Sequence, residues 1–312
     1  MTLIPVLRKE GVAVERELAR IQEQAKTYPP AHQQLMAIRF YLQYALWKCQ
    51  KRWFNHHSGI TNYATLIREI DRWRFEFNEQ VSFVTFNYDT MLEQAMFQVL
   101  GFNLQDFKSY TSQKHYSVIK LHGSINWGRG LAGISSQDSW GYPRIIKEAA
   151  NLTLSTNYVL VNTPFDATNA LIPALAIPVE KKDEFSCPET HVKGLEGLLP
   201  SVTKLLIIGW RATEVDFLNM PRSHLRGTPD AMIVSGDSAG VNETLTNLDP
   251  SRVRYAGQNS IDIGFSGLID NLGLLEAFLR NASKPSCECS LGSLLRLPPF
   301  LLRSANFLNC LC

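Results

Sequence analysis

Five short runs constrain this chain more than anything else in it: "VSFVTF" from Val81, "YSVIKL" from Tyr116, "NYVLV" from Asn157, "KLLIIG" from Lys204 and "AMIVS" from Ala231. Each is too continuously apolar to leave one face in water, so each reads as a strand buried on both faces. Helical stretches follow the first, fourth and fifth runs. Strands covered on both sides by helices predict an α/β fold with a doubly wound, mostly parallel sheet.

The first eighty residues have a different period. Val14, Leu18, Ile21 and Ala25 recur at helical spacing, "TYPP" interrupts, and Leu35, Ile38, Leu42, Ala45, Leu46 and Cys49 resume it. A third helix is predicted from Asn62 to Phe75. This reading gives an N-terminal helical layer or cap over residues 1–80 and an α/β core over 81–281. Over 282–312 the composition turns to Ser, Cys and Leu with almost no acidic residues, which predicts a non-catalytic C-terminal extension.

Composition excludes several function classes. With 312 residues, 45% hydrophobic, the chain is long enough for a sizeable core. A net charge of +2 creates no broad basic field, so neither direct nucleic-acid binding nor attraction to an anionic membrane is expected from the total, and only a local basic patch stays open. The opening "MTLIPVLRKEG" lacks the apolar core of a secretory signal, and no apolar run reaches the roughly 18 residues of a membrane span. A cytoplasmic protein is expected. The cysteines, at 49, 187, 287, 289, 310 and 312, form no paired CxxC motif, so no metal is expected.

In sheets of this kind ligands bind beyond the carboxyl ends of the strands, so polar residues directly after a strand are the candidates for chemistry. Asn87, Tyr88 and Asp89 follow the first run, His122, Gly123 and Ser124 the second, and Gly209 the fourth. Each has a structural reading as well. Thr90 and Glu93 match a T-x-x-E capping box, Asp89 can serve the same helix end, and His122-Gly123 suits a turn. Trp127 reads more readily as a core residue than as a pocket wall. The remaining histidines lack ligand spacing and are read as surface or packing residues.

Taken in order, "TFNYDTMLEQA", "IKLHGSINW", "KLLIIGWRATEVDFL" and "AMIVSGD" resemble the sirtuin-like domains of bacterial anti-phage defence proteins, which hydrolyse NAD+. The resemblance runs from about Val81 to Ile269. Its most specific parts are the strand-Asn-Tyr-Asp-helix segment and the Lys-Leu-His-Gly-Ser block, and "IPALAIPVEKK" is similar to the family's central segment.

What the resemblance implies is an NAD+ glycohydrolase, with NAD+ as substrate. Nicotinamide is a good leaving group, and cleavage of its bond to ribose passes through an oxocarbenium-like state that water captures. By the family's pattern Asp89 contacts the carboxamide, Asn87 places the water and ribose, and His122 acts as the base. Gly123, Ser124 and Gly209 lie against the dinucleotide, and Ser235 and Asp237 are expected at the adenosine ribose. Asp237 equally suits the cap of the following helix. The family's opening strand and Gly-Ala-Gly phosphate loop have no counterpart ahead of the first helices. "GRGLAG" at 128–133 is no substitute, since it follows the His block. NAD+ affinity is therefore expected to be weakened, each lost hydrogen bond to a charged group being worth about 1.5–3 kcal/mol.

Two further readings are carried forward. A catalytically inactive nucleotide-binding or scaffold module would keep the fold without turnover. An NAD-dependent protein deacetylase is disfavoured by the missing paired-CxxC zinc module. Because uncontrolled NAD+ loss is toxic, the resemblance also implies restraint by homo-oligomerisation or by a separate defence partner.

Overall fold

The computed structural model describes residues 14–57, 59–136, 138–162, 169–179, 185–248, 253–281 and 299–304. Its contacts divide the chain into two units, Met1–Arg52 with His122–Pro188, and Trp53–Leu121 with Glu189–Cys312. The fold is mixed α/β.

The first unit joins helices α1 (Val14–Ala25) and α2 (Pro29–His57, up to Arg52) to a three-stranded antiparallel sheet. That sheet has the order β4-β3-β5, with β3 at Gly123–Leu131, β4 at Leu154–Leu160 and β5 at Leu171–Leu175. Leu18, Ile21 and Ala25 of α1 bury their helical stripe with Ala31 and Ile38 of α2 and with Ile177 and Val179. Phe40 of α2, Leu131, Ile172 and Ile145 of the short helix α5 (Tyr142–Glu148) form a second cluster. Buried Gln43 is fixed in this apolar setting by donating to the Ile125 carbonyl, 2.9 Å away. Two expectations change here. The first four residues of the run "NYVLV" end β4, a half-exposed strand in an antiparallel sheet, instead of a parallel strand buried on both faces. Residues 128–131 of "GRGLAG" are the end of β3, so they form extended strand and no phosphate loop. Trp127 is fully buried in the same strand.

The second unit is built on a six-stranded, all-parallel sheet in the order β2-β1-β9-β6-β7-β8. The strands are β1 (Gln80–Thr85), β2 (Tyr116–Lys120), β6 (Lys204–Ile208), β7 (Asp230–Val234), β8 (Arg254–Ile261) and β9 (Pro299–Ser304). Burial along β1, β2, β6 and β7 is nearly continuous, as the apolar runs predict. Helix α3 (Asn62–Phe77) places Leu66, Ile67, Ile70 and Trp73 on one buried face. It packs with α4 (Met91–Leu100), α9 (Gly264–Asp270) and α10 (Leu272–Arg280). Thr61 caps its start, accepting from the Ala64 amide at 3.2 Å, and Asn78 ends it in the left-handed region at φ 53°. Helices α6 (Glu189–Leu198), α7 (Val215–His224) and α8 (Ser238–Asn247) complete the unit. Lys204, at the start of β6, donates to the Phe278 and Asn281 carbonyls and so satisfies the C-terminal end of α10.

The centre of this sheet comes from an unexpected place. Pro299–Ser304, within the predicted extension, pairs in parallel with β1 on one side and β6 on the other. The proline stands at the strand's first position, where a missing amide is tolerated, and the short apolar run "FLL" follows. Residues 282–298 and 305–312, with Cys287, Cys289, Cys310 and Cys312, lie outside the described residues. Among the described residues no helix is long and apolar enough to cross a membrane.

Candidate functional site

The sheet of the second unit runs outward in two directions from β9: β1 then β2 on one side, β6, β7 and β8 on the other. Strand order therefore reverses at β9, and in parallel sheets the crevice beyond the carboxyl ends at such a reversal is where ligands bind. The register sets those ends in line. Thr85 pairs with Lys120 and Ser304, Ser304 with Ile208, Ile208 with Val234, and Val234 with Ile261. The residues one or two positions beyond this line include Asn87, Gly209 and Ser235.

The turn after β1 is tightly specified. The Asn87 amide donates to Thr85 Oγ1 at 3.0 Å, and the half-buried Asn87 side chain donates from Nδ2 to the Tyr63 hydroxyl of α3 at 3.1 Å. Asp89 is buried, and its Oδ1 accepts from the Met91 amide at 2.9 Å, capping α4. Oδ2 has no hydrogen-bond partner among the described residues. Burial pushes the Asp89 carboxyl above the usual carboxylate range, against the opposing pull of Lys120. The expected T-x-x-E capping box does not form, since Thr90 makes no side-chain cap bond. Glu93 turns instead toward Lys120, whose ammonium lies 2.8 Å from Glu93 Oε1, and the Tyr110 hydroxyl donates to the same oxygen at 3.3 Å. Lys120, fully buried, also donates to the Asp89 carbonyl. A buried ammonium with an acid at hand gains more than an exposed glutamate gains at a helix end, which is why the pair displaces the box.

Beyond β6 the backbone twice enters the left-handed region, at Gly209 (φ 61°) and at buried Ala212 (φ 55°). The Gly209 amide donates to the Val234 carbonyl at 2.8 Å, and Trp210 donates its indole N–H to Glu214. The alanine conformation is unfavourable by roughly 1–2 kcal/mol and is held by its surroundings. The loop is tied to α8 by Thr244 Oγ1, which donates to the Trp210 carbonyl, and by Asn247, which donates to the Arg211 carbonyl. Beyond β7 the Ser235 carbonyl accepts from the Gly264 amide at 2.7 Å. Exposed Asp237 accepts from the Gly240 amide at 2.6 Å and is the N-cap of α8. A side chain at Gly240 would strike Ser235 Oγ, 2.2 Å from a Cβ there, so the serine packs closely against the helix start. An apolar cavity of about 40 Å³ beneath α7, lined by Leu206, Trp210 and Phe217 among others, is far too small for a nucleotide.

His122, Gly123 and Ser124 belong to the first unit, where β3 begins. All three are buried. The His122 carbonyl accepts from the Ala176 amide at 2.9 Å. Gly123 has φ 80°, and a Cβ there would lie 1.9 Å from the Ala174 carbonyl oxygen and 2.9 Å from that of Ser186. The backbone there admits only glycine.

The structure thus gathers Asn87, Asp89, Gly209, Ser235 and Asp237 along one edge of a single sheet, while His122, Gly123 and Ser124 fall in the other unit. Sequence reasoning missed Lys120, Glu93 and Ala212. A signal existed for the first two: a lone cation inside "YSVIKL" and a lone acid inside "MLEQAMF" each need a buried partner. Nothing in the sequence marks Ala212. No metal-holding group of His, Cys, Asp or Glu occurs among the described residues. Neither a protein-family profile nor a curated protein sequence matches the chain.

Proposed function

We propose that this chain is an NAD+ glycohydrolase with a doubly wound, sirtuin-like core, cleaving NAD+ to nicotinamide and ADP-ribose. The observation that carries the reading is the position of Asn87 and Asp89. They leave the carboxyl end of β1 beside β9, at the reversal of strand order, within the motif that resembles the sirtuin-like family. Gly209 leaves β6 on the other side of β9 and supports the same location.

The chemistry asks little acid catalysis of the protein. The C–N bond between ribose and nicotinamide breaks with its electron pair going to the departing ring nitrogen, which leaves neutral. Water adds to the oxocarbenium carbon and loses a proton to a base. In this scheme Asp89 Oδ2, not engaged in the helix cap, accepts from the carboxamide N–H and turns the nicotinamide toward departure. Asn87, its amide plane steadied by Tyr63, holds the water and the ribose. His122 takes the proton, a role it receives from its place in Lys-Leu-His-Gly-Ser. Ser124 and Gly123 serve the dinucleotide from the same block, and Ser235 and Asp237 the adenosine ribose, Asp237 through the carboxylate oxygen not bonded to Gly240.

Depletion of cytoplasmic NAD+ as an anti-phage response follows from this activity, with restraint by self-assembly or by a partner protein. The test is nicotinamide release from NAD+ by the full chain, beside Asn87→Ala and His122→Ala. Release that both substitutions abolish supports the proposal; release unaffected by either, or none under any condition tried, rejects it.

A second reading, a nucleotide-binding module without turnover, is favoured by one specific feature. In a doubly wound sheet a glycine-rich loop at a helix N-terminus cradles the pyrophosphate, and here residues 128–131 of the glycine-rich "GRGLAG" are extended strand. Calorimetric binding of NAD+ without product formation would establish it.

A further inference from the structure

No carboxylate occurs between Glu23 and Glu69, although the chain holds 29 acidic residues. This stretch includes all of α2, whose cations are Arg39, Lys48, Lys51 and Arg52. A charged helix surface is ordinarily laced with i, i+3 and i, i+4 pairs of opposite sign. On α2 no such pair is possible. Lys48 has Lys51 and Arg52 at those spacings instead, and like charges there weaken a helix. The helix dipole does not account for them, because its effect is confined to the last turn and these residues lie before it.

The same face carries aromatic rings. Tyr41, Tyr44, Lys48 and Lys51 follow one another at spacings of three, four and three, so they form one line along the helix, with Arg52 beside it. Tyr41 is 61% exposed and Tyr44 41%, and Lys48, Lys51 and Arg52 are exposed. The Lys48 ammonium lies 5.4 Å from the centroid of the Tyr44 ring and 5.6 Å from that of Trp47, and Lys51 lies 5.1 Å from the Trp47 ring. The rings hold the ammonium groups over the helix surface, and neither lysine forms an ion pair among the described residues. All of these residues belong to the first unit and span roughly 16 Å of helix.

We propose that this stripe binds single-stranded nucleic acid, the cations meeting phosphates and the two tyrosines stacking on bases. A partner made only of negative charge would use the cations and leave Tyr41 and Tyr44 in water. Unpaired bases use both, since a positive track interleaved with aromatic rings is the usual platform for single strands. The net charge of +2 conceals this surface because acids elsewhere offset it. The proposal is independent of NAD+ cleavage.

The experiment is fluorescence anisotropy of a labelled oligothymidylate with the full chain, over a series of salt concentrations. Three contacted phosphates give a slope of about −2 in log K against log salt. Reversing Lys48, Lys51 and Arg52 to Glu should abolish binding, and Tyr41→Ala with Tyr44→Ala should weaken it about tenfold by loss of stacking. Circular dichroism of each variant establishes that the helix is retained, these positions being on the surface. Absence of binding by the parent at low salt overturns the proposal. So does binding that survives charge reversal. Binding equally strong for polyglutamate and indifferent to the tyrosine changes would assign the stripe to an acidic protein and also overturn it.

Discussion

Lys120 of β2 holds the turn that follows β1 through Glu93: its ammonium is 2.8 Å from the Glu93 carboxylate and donates to the Asp89 carbonyl, four residues earlier in the chain. Both side chains are buried, and the second Glu93 oxygen has no hydrogen-bond partner among the described residues. Removing the lysine leaves a buried carboxylate with the Tyr110 hydroxyl as its one hydrogen-bond donor among the described residues. Lys120→Met is therefore expected to destabilise the protein by about 3–5 kcal/mol in urea unfolding. The double variant Lys120→Met with Glu93→Leu should recover much of that loss, because it removes the uncompensated charge. A double variant no better than Lys120→Met would show that the interaction with the Asp89 carbonyl dominates.

Gly123 sits at a point where both backbone angle and space exclude a side chain. With φ at 80° and a Cβ position 1.9 Å from the Ala174 carbonyl oxygen, Gly123→Ala must displace β5 from β3. A loss of at least about 3 kcal/mol is expected, which lies in the range reserved for such named defects. Thermal unfolding checks it. A variant as stable as the parent would mean that the chain near Ser186 and Ala174 yields easily.

How much of this was legible follows from where the physics is local. The runs "VSFVTF", "YSVIKL", "KLLIIG" and "AMIVS" became β1, β2, β6 and β7, because strands buried on both faces leave an uninterrupted apolar signature. The three N-terminal helices were equally plain from their periodicity. β3 was hidden, since "GSINWGRGL" is rich in glycine and polar residues and is stabilised by its two neighbours instead of its own propensity. β9 was hidden by Pro298 and Pro299 and by its distance along the chain from β1 and β6, which no local pattern encodes. At the site, Asp89 was read as a cap and does cap, whereas the capping box failed because Glu93 has a stronger partner on another strand. Which residues share one unit is a property of the whole contact pattern, so the assignment of His122 and Asn87 to different units had no sequence signal.

Acid sensitivity should centre on His191. It is fully buried beside Tyr110 and Phe107, and burial, reinforced by the charge of Lys120, pushes its imidazole down to about 4. The unfolded chain, with a histidine near 6.5, binds the proton more readily. Stability contributed by the neutral ring is thus complete above pH 6.5 or so and is lost as pH falls toward 4, by about 3 kcal/mol in all. The stability difference between the parent and His191→Phe, measured by urea unfolding from pH 7 to 4, should shift against the parent as the solution is acidified. A difference that does not vary with pH would show the imidazole to be solvated.

The opposite sign holds at the other end of the sheet. Glu79 precedes β1, and burial raises its carboxyl to about 7 even though the Lys204 ammonium pulls it down. Lys204 is itself lowered by burial and is shared with Asp230, which also accepts from Arg254 at 2.8 Å. In the folded protein Glu79 therefore holds its proton at pH values where the unfolded chain has released it. Because the native state binds more protons, its stability falls as pH rises from the ordinary carboxylate range through about 7. Glu79→Gln, which is neutral at every pH, should match the parent at pH 4 and exceed it at pH 8, with the change complete once the parent carboxyl has ionised. Thermal unfolding of the two proteins across that range decides the matter, and a parent that gains on Glu79→Gln toward alkaline pH would mean that the Lys204 attraction outweighs burial.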